Sequence, residues 1–207
     1  MVNSLIDQIV PAGIVPKQRV VDLFSGDTVD ERWTLTETGS GSTAIADEIN
    51  GGVVMTTGTT TNDNEVLSFN GIDQYAYDGS AFITVAKASS NTDSAKYIGM
   101  NSDGGAWGDD RYYFAENTSK GSNYNLTTFN SPNPGNVDCG IARDTSWHKF
   151  KAQINTTSCR GWIDDVFVAV ITGSSLPNAA LEPRINIYTE TTAAKTMNVS
   201  YYEAYNT

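Results

Sequence analysis

Hydrophobic and polar residues alternate along most of this chain, and the clearest example lies near residue 150. Phe150, Ala152 and Ile154 are separated by polar residues, which is the pattern of a β-strand with one buried face. A polar turn over 155–158 follows, and Asp164-Asp165 makes a second turn before another apolar run. The pattern predicts consecutive antiparallel strands with Phe150, Ala152 and Ile154 in the core.

Similar short runs separated by turn residues extend from residue 19 to the C-terminus, and no long helical pattern interrupts them. This pattern predicts an all-β protein with two packed antiparallel sheets of about six strands each. In the last strand, Met197, Val199 and Tyr201 are expected to share one face. The predicted strands cover 20–24, 33–36, 43–47, 52–57, 65–70, 81–88, 96–100, 111–116, 147–154, 159–163, 166–171, 184–189 and 197–205.

Residues 1–18 differ from the rest of the chain. Leu5, Ile6, Ile9 and Val10 have near-helical spacing, and the Pro and Gly residues between 11 and 16 stop any helix after one or two turns. We therefore expect an apolar N-terminal arm over 1–18 and a single sandwich domain over 19–207. The arm either packs on its own domain or docks onto a partner subunit, and the sequence leaves both alternatives open.

Composition narrows the function classes. The chain has 207 residues, enough to bury one sizeable core without metals or disulfides. Its net charge of −11 opposes binding to the phosphates of nucleic acid. No apolar run is long enough to cross a bilayer, and the first residues lack a signal-peptide pattern. We expect neither nucleic-acid binding, membrane insertion nor conventional secretion.

Two motifs resemble the concanavalin A-like, or laminin G-like, jelly-roll domains. One is the Trp147-His148 strand followed by the hairpin Trp162-Ile163-Asp164-Asp165, and the other is Asp22-x-Phe24 leading to Trp33. The resemblance implies an antiparallel β-sandwich whose last strand pairs with its first. It also implies that His148 is a packing residue. Domains of this kind occur in structural proteins of phages and archaeal viruses.

Enzymes with this fold are mostly glycoside hydrolases and polysaccharide lyases. Retaining hydrolases need two carboxylates about 5 Å apart, which alternate positions of one strand supply. The laminarinase-like family places them in the pattern Glu-x-Asp-x-x-Glu, and this spacing does not occur here. His148 is the only histidine and no Gly-x-Ser-x-Gly motif accompanies it, so nucleophilic catalysis also lacks support. The sequence thus predicts a protein that is not an enzyme.

A glycine-rich segment over 104–113 is the candidate glycan-binding site. It combines aromatic rings, which stack on sugars, with polar groups that fix hydroxyls. The alternative is structural, with Trp107 at the sandwich edge, a tyrosine in the core and the two aspartates in a turn. The candidate residues are Trp107, Asp109, Asp110, Arg111 and Tyr112.

The two cysteines and several aspartates are candidates for covalent or metal crosslinks. Cys139 and Cys159 flank the Trp147 strand and either form a disulfide or remain two half-buried thiols. Two cysteines and one histidine exclude a structural zinc site. Calcium is common in the fold family, but its candidate ligands form no known calcium-binding motif, so no cofactor or metal is predicted. These candidates are Asp27, Asp30, Asp73 and Asp78.

These observations favour a virion structural protein, either a capsid decoration protein or a tail-associated module on the virion surface. Its expected partners are other virion proteins or further copies of itself in a homo-oligomer, with accessory binding to host-surface glycan. The alternative function is a lectin-like carbohydrate-binding module. A polysaccharide-active glycoside hydrolase or lyase ranks third.

Overall fold

The computed structural model describes residues 19–25, 28–46, 51–69, 75–102, 110–117 and 121–207. These ranges contain β-strands and turns without a helix, which confirms the all-β prediction. None of them therefore provides a helix that could cross a membrane. The strands are β1 (Arg19–Asp22), β2 (Thr34–Thr38), β3 (Ser42–Ile45), β4 (Val53–Thr56), β5 (Asn64–Ser68), β6 (Ser80–Ala88), β7 (Ser94–Asn101), β8 (Asp110–Asn117), β9 (Asn123–Asn130), β10 (Asn133–Ala142), β11 (His148–Ile154), β12 (Cys159–Ile163), β13 (Val166–Ile171), β14 (Glu182–Thr189) and β15 (Thr196–Asn206).

The strands form two antiparallel sheets. The first sheet has the order β13-β12-β11-β6-β15-β4-β3, with β1 paired to β15, and the second has the order β10-β9-β8-β7-β14-β5-β2. The pairing of Arg19 with Tyr205 and of Asp22 with Tyr202 confirms that the first and last strands are neighbours. The two chain ends of the sandwich domain therefore lie on the same sheet.

The described ranges contain eight strands in the first sheet and seven in the second, more than the predicted six each. Strands β9 and β10 were not predicted. β10 contains Pro134 and Gly135, which are typical of a turn, and β9 is rich in Asn and Thr. Because β10 lies at a sheet edge, the missing N–H of Pro134 is tolerated there.

The core lies between the sheets. Phe150, Ala152 and Ile154 are buried in it, as the alternation predicts. Aromatic rings fill its centre: Phe82 and Tyr202 stack with ring centroids 6.2 Å apart. The Phe82 ring also contacts the rings of Tyr112 and Phe114 in the second sheet, so the two sheets pack through aromatic side chains.

The prediction that Met197, Val199 and Tyr201 share one face of β15 is correct for the first two residues and wrong for Tyr201. Met197 and Val199 are buried, but the register shifts between Val199 and Tyr201, and Tyr202 then takes the core position. An extra residue at a β-bulge reverses the faces beyond it. Tyr201 therefore lies on the opposite face from Met197 and Val199.

The Asp22-x-Phe24 and Trp33 motif closes one part of the core. The Trp33 indole N–H donates a 2.7 Å hydrogen bond to Asp22, and the Phe24 backbone N–H donates another of 2.7 Å to the same carboxylate. The Trp33 ring contacts Phe69 and Tyr202 edge to face. The motif therefore has a structural role in this chain.

Candidate functional site

The outer face of the second sheet carries polar and aromatic side chains in its middle strands. In β7, Ile98 and Met100 belong to the core, so Tyr97, Gly99 and Asn101 point to the opposite face. Neighbouring β8 and β14 alternate in the same way, and their outward residues complete this face. These are Arg111, Tyr113, Ala115 and Asn117 from β8, and Glu182, Arg184, Asn186 and Tyr188 from β14.

Strand register places these side chains in rows across the sheet. Asn101 pairs with Glu182 on one side and with Arg111 on the other. The next row has Gly99 between Arg184 and Tyr113. Glu182 and Arg184 both belong to β14, which is the neighbour of β7. Because adjacent strands lie about 4.8 Å apart, these two residues lie beside Asn101 and Gly99. The rows bring one carboxylate, two guanidinium groups and an amide together.

A tyrosine cluster borders these rows. The Tyr97 and Tyr113 rings meet edge to face, with centroids 5.1 Å apart, and the Tyr97 and Tyr188 hydroxyls are 3.1 Å apart. Asn117 donates a 2.7 Å hydrogen bond to the Tyr97 hydroxyl. Burial raises the pKa of both Tyr97 and Tyr113, so the two phenols stay protonated at neutral pH. They can therefore donate hydrogen bonds to a ligand.

The charged and amide groups of this face are buried, although they lie outside the main core. Glu182 is fully buried, and Arg184 and Asn186 are nearly so. The Asn186 side-chain oxygen has no hydrogen-bond partner among the described residues. A buried acceptor of this kind is costly unless a ligand or water satisfies it.

A shallow depression with a cavity volume of about 10 Å³ lies over Gly99. It is bordered by Tyr97, Tyr113, Asn101 and Arg184. A side chain at position 99 would collide with β8, because a Cβ there would lie 2.2 Å from the Tyr112 carbonyl oxygen. Glycine thus keeps the floor of this depression free of a side chain.

The arrangement suits recognition of a sugar. Aromatic rings stack on the C–H faces of a pyranose, while amide and guanidinium groups bind its hydroxyls. Of the middle three strands, the described outward positions supply one carboxylate, Glu182, which can transfer a proton. The two-carboxylate pattern of a retaining hydrolase is not present at these positions.

The structure separates the three residues of the predicted glycan site that it describes. Arg111 points to the outer face, and its guanidinium lies 4.1 Å from the Phe129 ring centroid. Tyr112 is in the core, where its hydroxyl lies 3.1 Å from the Ser80 hydroxyl. Asp110 accepts a 2.6 Å hydrogen bond from the Asn178 backbone N–H and has a structural role. Trp107 and Asp109 lie outside the described residues.

The remaining predicted features have structural explanations. His148 lies between Asp164, at 2.6 Å, and Asp144, at 3.0 Å. Burial disfavours the charged ring, but the hydrogen bonds to the two carboxylates raise the pKa of His148 above its ordinary value. Cys139 and Cys159 are free, buried thiols on different sheets, so the structure contains no disulfide between them.

The calcium candidates do not form a site among the described residues. Asp30 is paired with Arg32 at 2.8 Å, and Asp78 accepts a 3.2 Å hydrogen bond from the Thr156 backbone N–H. In the described part of the chain, no group of three His, Cys, Asp or Glu side chains could hold a metal ion. Asp27 and Asp73 lie outside the described residues, as do the arm residues Leu5, Ile6, Ile9 and Val10.

Solved structures with the same architecture are numerous. A protein of unknown function from Shewanella oneidensis MR-1 has a TM-score of 0.68 at 15% identity, covering 97% of this chain and 91% of that chain. The apo Crh5 transglycosylase has a TM-score of 0.66 at 15% identity, covering 91% of this chain and 84% of that chain. The fold is the concanavalin A-like jelly-roll sandwich.

A third neighbour of this concanavalin A-like chain has a bound sugar. It is the Bacteroides ovatus mixed linkage glucan GH16 protein in complex with its G4G4G3G product, with a TM-score of 0.68 at 9% identity, covering 88% of this chain and 98% of that chain. No protein-family model and no curated protein matches the sequence. At these identities, structural similarity establishes the concanavalin A-like fold.

These comparisons overturn two predictions. The predicted virion structural role is wrong, because no neighbour indicates one and several are glycoside hydrolase family 16 proteins. The prediction of a protein that is not an enzyme is contradicted by hydrolase and transglycosylase neighbours. The absence of the Glu-x-Asp-x-x-Glu pattern does not by itself exclude an enzyme.

Most residues of the outer face of the second sheet were not predicted from the sequence. Glu182, Asn101 and Tyr97 were not candidates, because alternating polar residues in a strand usually indicate a solvent-exposed face. The available signal was the composition of that face. Arg184, Asn186 and Tyr188 alternate with isoleucines in a strand that the topology places near the middle of its sheet.

Proposed function

We propose that this chain is a polysaccharide-active enzyme of the glycoside hydrolase or transglycosylase type. The sugar chain binds along the outer face of the second sheet, across β7, β8 and β14. Fold similarity to hydrolases and a transglycosylase supports the proposal. The observation that carries it is the buried carboxyl of Glu182, which pairs in register with Asn101 at the border of the depression.

Each group around the depression has a role in this proposal. The Tyr97 and Tyr113 rings contact the sugar ring over Gly99, and their protonated hydroxyls donate hydrogen bonds to it. The unsatisfied Asn186 oxygen accepts a hydrogen bond from a sugar hydroxyl. Arg184 binds sugar oxygens with its guanidinium donors. Together these contacts would place a glycosidic oxygen near Glu182.

Glu182 is the proposed general acid. Its carboxyl gives a proton to the glycosidic oxygen as the bond to the anomeric carbon breaks. Water, or a hydroxyl of an acceptor sugar, then forms the new bond to that carbon and releases a proton that restores the carboxyl. The first acceptor gives hydrolysis and the second gives transfer. Glycosidases use two carboxyl groups, and the described outward positions of β7, β8 and β14 supply Glu182 for the acid role.

The test is an assay of the full chain with laminarin, mixed-linkage β-glucan and chitin oligosaccharides. Chromatography of the products and a reducing-end assay detect cleavage or redistribution of chain lengths. Glu182→Gln keeps the shape of the side chain and should lower the rate about 100-fold or more. Glu31→Gln, at an exposed position, is the matched control and should retain full activity.

Two outcomes would overturn the proposal. One is a folded wild-type protein that leaves all of these substrates unchanged. The other is Glu182→Gln activity equal to wild type, which would move the chemistry to another site. Unsaturated products from a uronate polysaccharide, detected by ultraviolet absorbance, would replace hydrolysis with elimination and likewise contradict the role of Glu182.

A further inference from the structure

Strand β13 (Val166–Ile171) lies at an edge of the first sheet, and all six of its side chains are apolar. Among the described strands it pairs with β12 alone. The backbone N–H and C=O groups along its other side are therefore not bonded to any described strand. An unpaired edge of this kind is a template on which another extended chain can pair.

Three side chains of β13 are exposed to solvent although they are large and apolar. Val166 is 61% exposed, Phe167 54% and Val170 43%. Natural edge strands are often protected by a lysine or a proline that prevents pairing with another chain. β13 contains neither residue type, so its side chains do not oppose such pairing.

A β-bulge puts Phe167 and Val170 on the same face of the sheet. Phe167 pairs with Trp162 and Val170 with Arg160, and the register shifts between these two pairs. Trp162 and Arg160 both lie on the outer face, because their neighbours in β12 are buried. Residues three apart in a regular strand lie on opposite faces, so the extra residue of the bulge accounts for the shared face.

We propose that β13 pairs antiparallel with β13 of a second copy of this chain, which gives a dimer with two-fold symmetry. When the six residues of both strands overlap fully, Phe167 of each copy lies opposite Val170 of the other. The bulge favours this register, because outer-face residues then meet outer-face residues. Val166 and Ile171 meet in the same way, since each pairs with a buried residue of β12. A regular six-residue strand would instead set outer faces against inner faces in this register.

Charged groups at the two ends of β13 are complementary in this arrangement. Arg160, beside Val170, makes no hydrogen bond or ion pair with another described residue. Asp165 precedes Val166 at the other end, and its side chain is 72% exposed beside Lys149. Antiparallel pairing brings the start of one β13 next to the end of the other. Two symmetric pairs of Arg160 with Asp165 would therefore offset part of the repulsion between two chains of charge −11.

The dimer also orients the two proposed active sites. Antiparallel pairing at an edge keeps each face of the sheet continuous across the two copies, so both second sheets lie on the same side of the joined first sheets. Their outer faces, with Glu182, then open in the same direction. This consequence rests on the proposed function, whereas the pairing of β13 does not. Glu182→Gln should therefore dimerise as wild type does, which keeps failure of one claim distinguishable from failure of the other.

Sedimentation velocity of the full chain over a range of concentrations tests the dimer. The mass should rise from 22.3 kDa toward twice that value. We expect a dissociation constant of about 1–100 µM, because a pair of short strands buries less than the roughly 1,200 Å² of a standard interface. Val170→Lys should raise this constant about tenfold or more, because each lysine would lie opposite Phe167. Val21→Lys, at another exposed valine of a short strand, is the matched control and should dimerise as wild type does.

Exchange of the two charges tests the register. Arg160→Glu and Asp165→Arg should each weaken dimerisation about threefold. The double variant should recover most of the wild-type affinity, because opposite charges meet again in it. Thermal unfolding of each variant shows whether it is folded.

Several results would overturn the dimer proposal. A wild-type chain that stays monomeric at every concentration would remove it, and a dimer that Val170→Lys leaves unchanged would place the contact elsewhere. A double variant weaker than both single variants would contradict the register, and a monomer that binds an unrelated extended peptide at β13 would contradict the second copy as its partner. Val170 is exposed, so the result for Val170→Lys does not depend on whether the variant at the Asp165 turn folds.

Discussion

The Tyr202 hydroxyl donates a 2.6 Å hydrogen bond to the backbone carbonyl oxygen of Gly99, across the interior of the sandwich. Tyr202 belongs to β15 in the first sheet, and Gly99 lies in β7 at the floor of the depression in the second. The same hydroxyl contacts the Met100 sulfur at 3.4 Å. The core and the candidate site are thus connected through one buried side chain.

Replacing Tyr202 by Phe should lower the free energy of unfolding by about 1–2 kcal/mol, because a buried carbonyl loses a donor while the ring remains. Denaturant unfolding measures the change. Tyr205→Phe is the control at a partly exposed position of the same strand, and it should change stability by less than about 0.5 kcal/mol. Equal stability of Tyr202→Phe and wild type would show that this hydrogen bond contributes nothing.

Ile154 tests the alternation of β11. It is fully buried, and Ile154→Ala should cost about 2–5 kcal/mol through lost burial and a remaining cavity. Gln153→Ala changes the neighbouring residue on the outer face and should cost about 0.5 kcal/mol or less. Urea unfolding of the two variants checks the difference. Similar costs for both would mean that β11 does not have the assigned inner and outer faces.

Glu65 should make stability depend on pH. It is buried in β5, where one carboxyl oxygen accepts a 3.1 Å hydrogen bond from Thr43. Burial raises the pKa of Glu65 from its ordinary value of 4.5 to about 7. The hydrogen bond from Thr43 lowers this pKa, while the nearby carboxyl groups of Glu37 and Asp63 raise it.

The sign follows from proton binding. Between pH 4.5 and 7 the folded protein holds a proton on Glu65 that the unfolded chain has lost, so this stabilisation is present below pH 4.5 and lost as pH rises through 7. Glu65→Gln should remove that decline. Thermal unfolding of both proteins from pH 5 to 8 measures it. An identical slope in the variant would assign the pH dependence to other groups, such as His148.

The buried ion pair of Lys96 and Glu116 gives a further prediction. Their charged atoms are 2.9 Å apart, and Lys96 also donates to the Ser90 carbonyl oxygen at 2.6 Å and to the Ser94 hydroxyl at 2.7 Å. Lys96→Met should cost about 3–5 kcal/mol because it leaves a buried carboxylate without its partner. The double variant Lys96→Met, Glu116→Leu should recover much of that loss, and additive losses in the double variant would contradict the pairing.

Local alternation predicted the fold because the inner faces of the strands are strongly apolar. Phe150, Ala152 and Ile154 show this clearly. The bulge after Val199 could not be predicted, because an extra residue in a strand leaves no mark in the hydrophobic pattern. β10 was missed because Pro134 and Gly135 are typical of turns, and their tolerance depends on the position of the strand at a sheet edge.

The candidate site was much harder to predict than the fold. Of the predicted glycan-binding residues that the structure describes, Arg111 reaches the outer face of the second sheet. Glu182 was missed because it lies before the predicted strand 184–189 and was therefore not assigned to a sheet face. Pro183 has no backbone N–H to donate to a neighbouring strand. It is tolerated in β14 because β5 pairs with β14 only from Arg184 onward. Rows such as Glu182, Asn101 and Arg111 arise from register between distant segments, which no local spacing reveals.

The most direct test of the central claim is a crystal structure of Glu182→Gln with a bound β-glucan oligosaccharide. We predict that a pyranose ring lies over Gly99, in contact with Tyr97 and Tyr113, and that a glycosidic oxygen lies within hydrogen-bond distance of residue 182. An oligosaccharide bound elsewhere, with the outer face of β7 and β14 free of sugar, would contradict the assignment of this face as the active site.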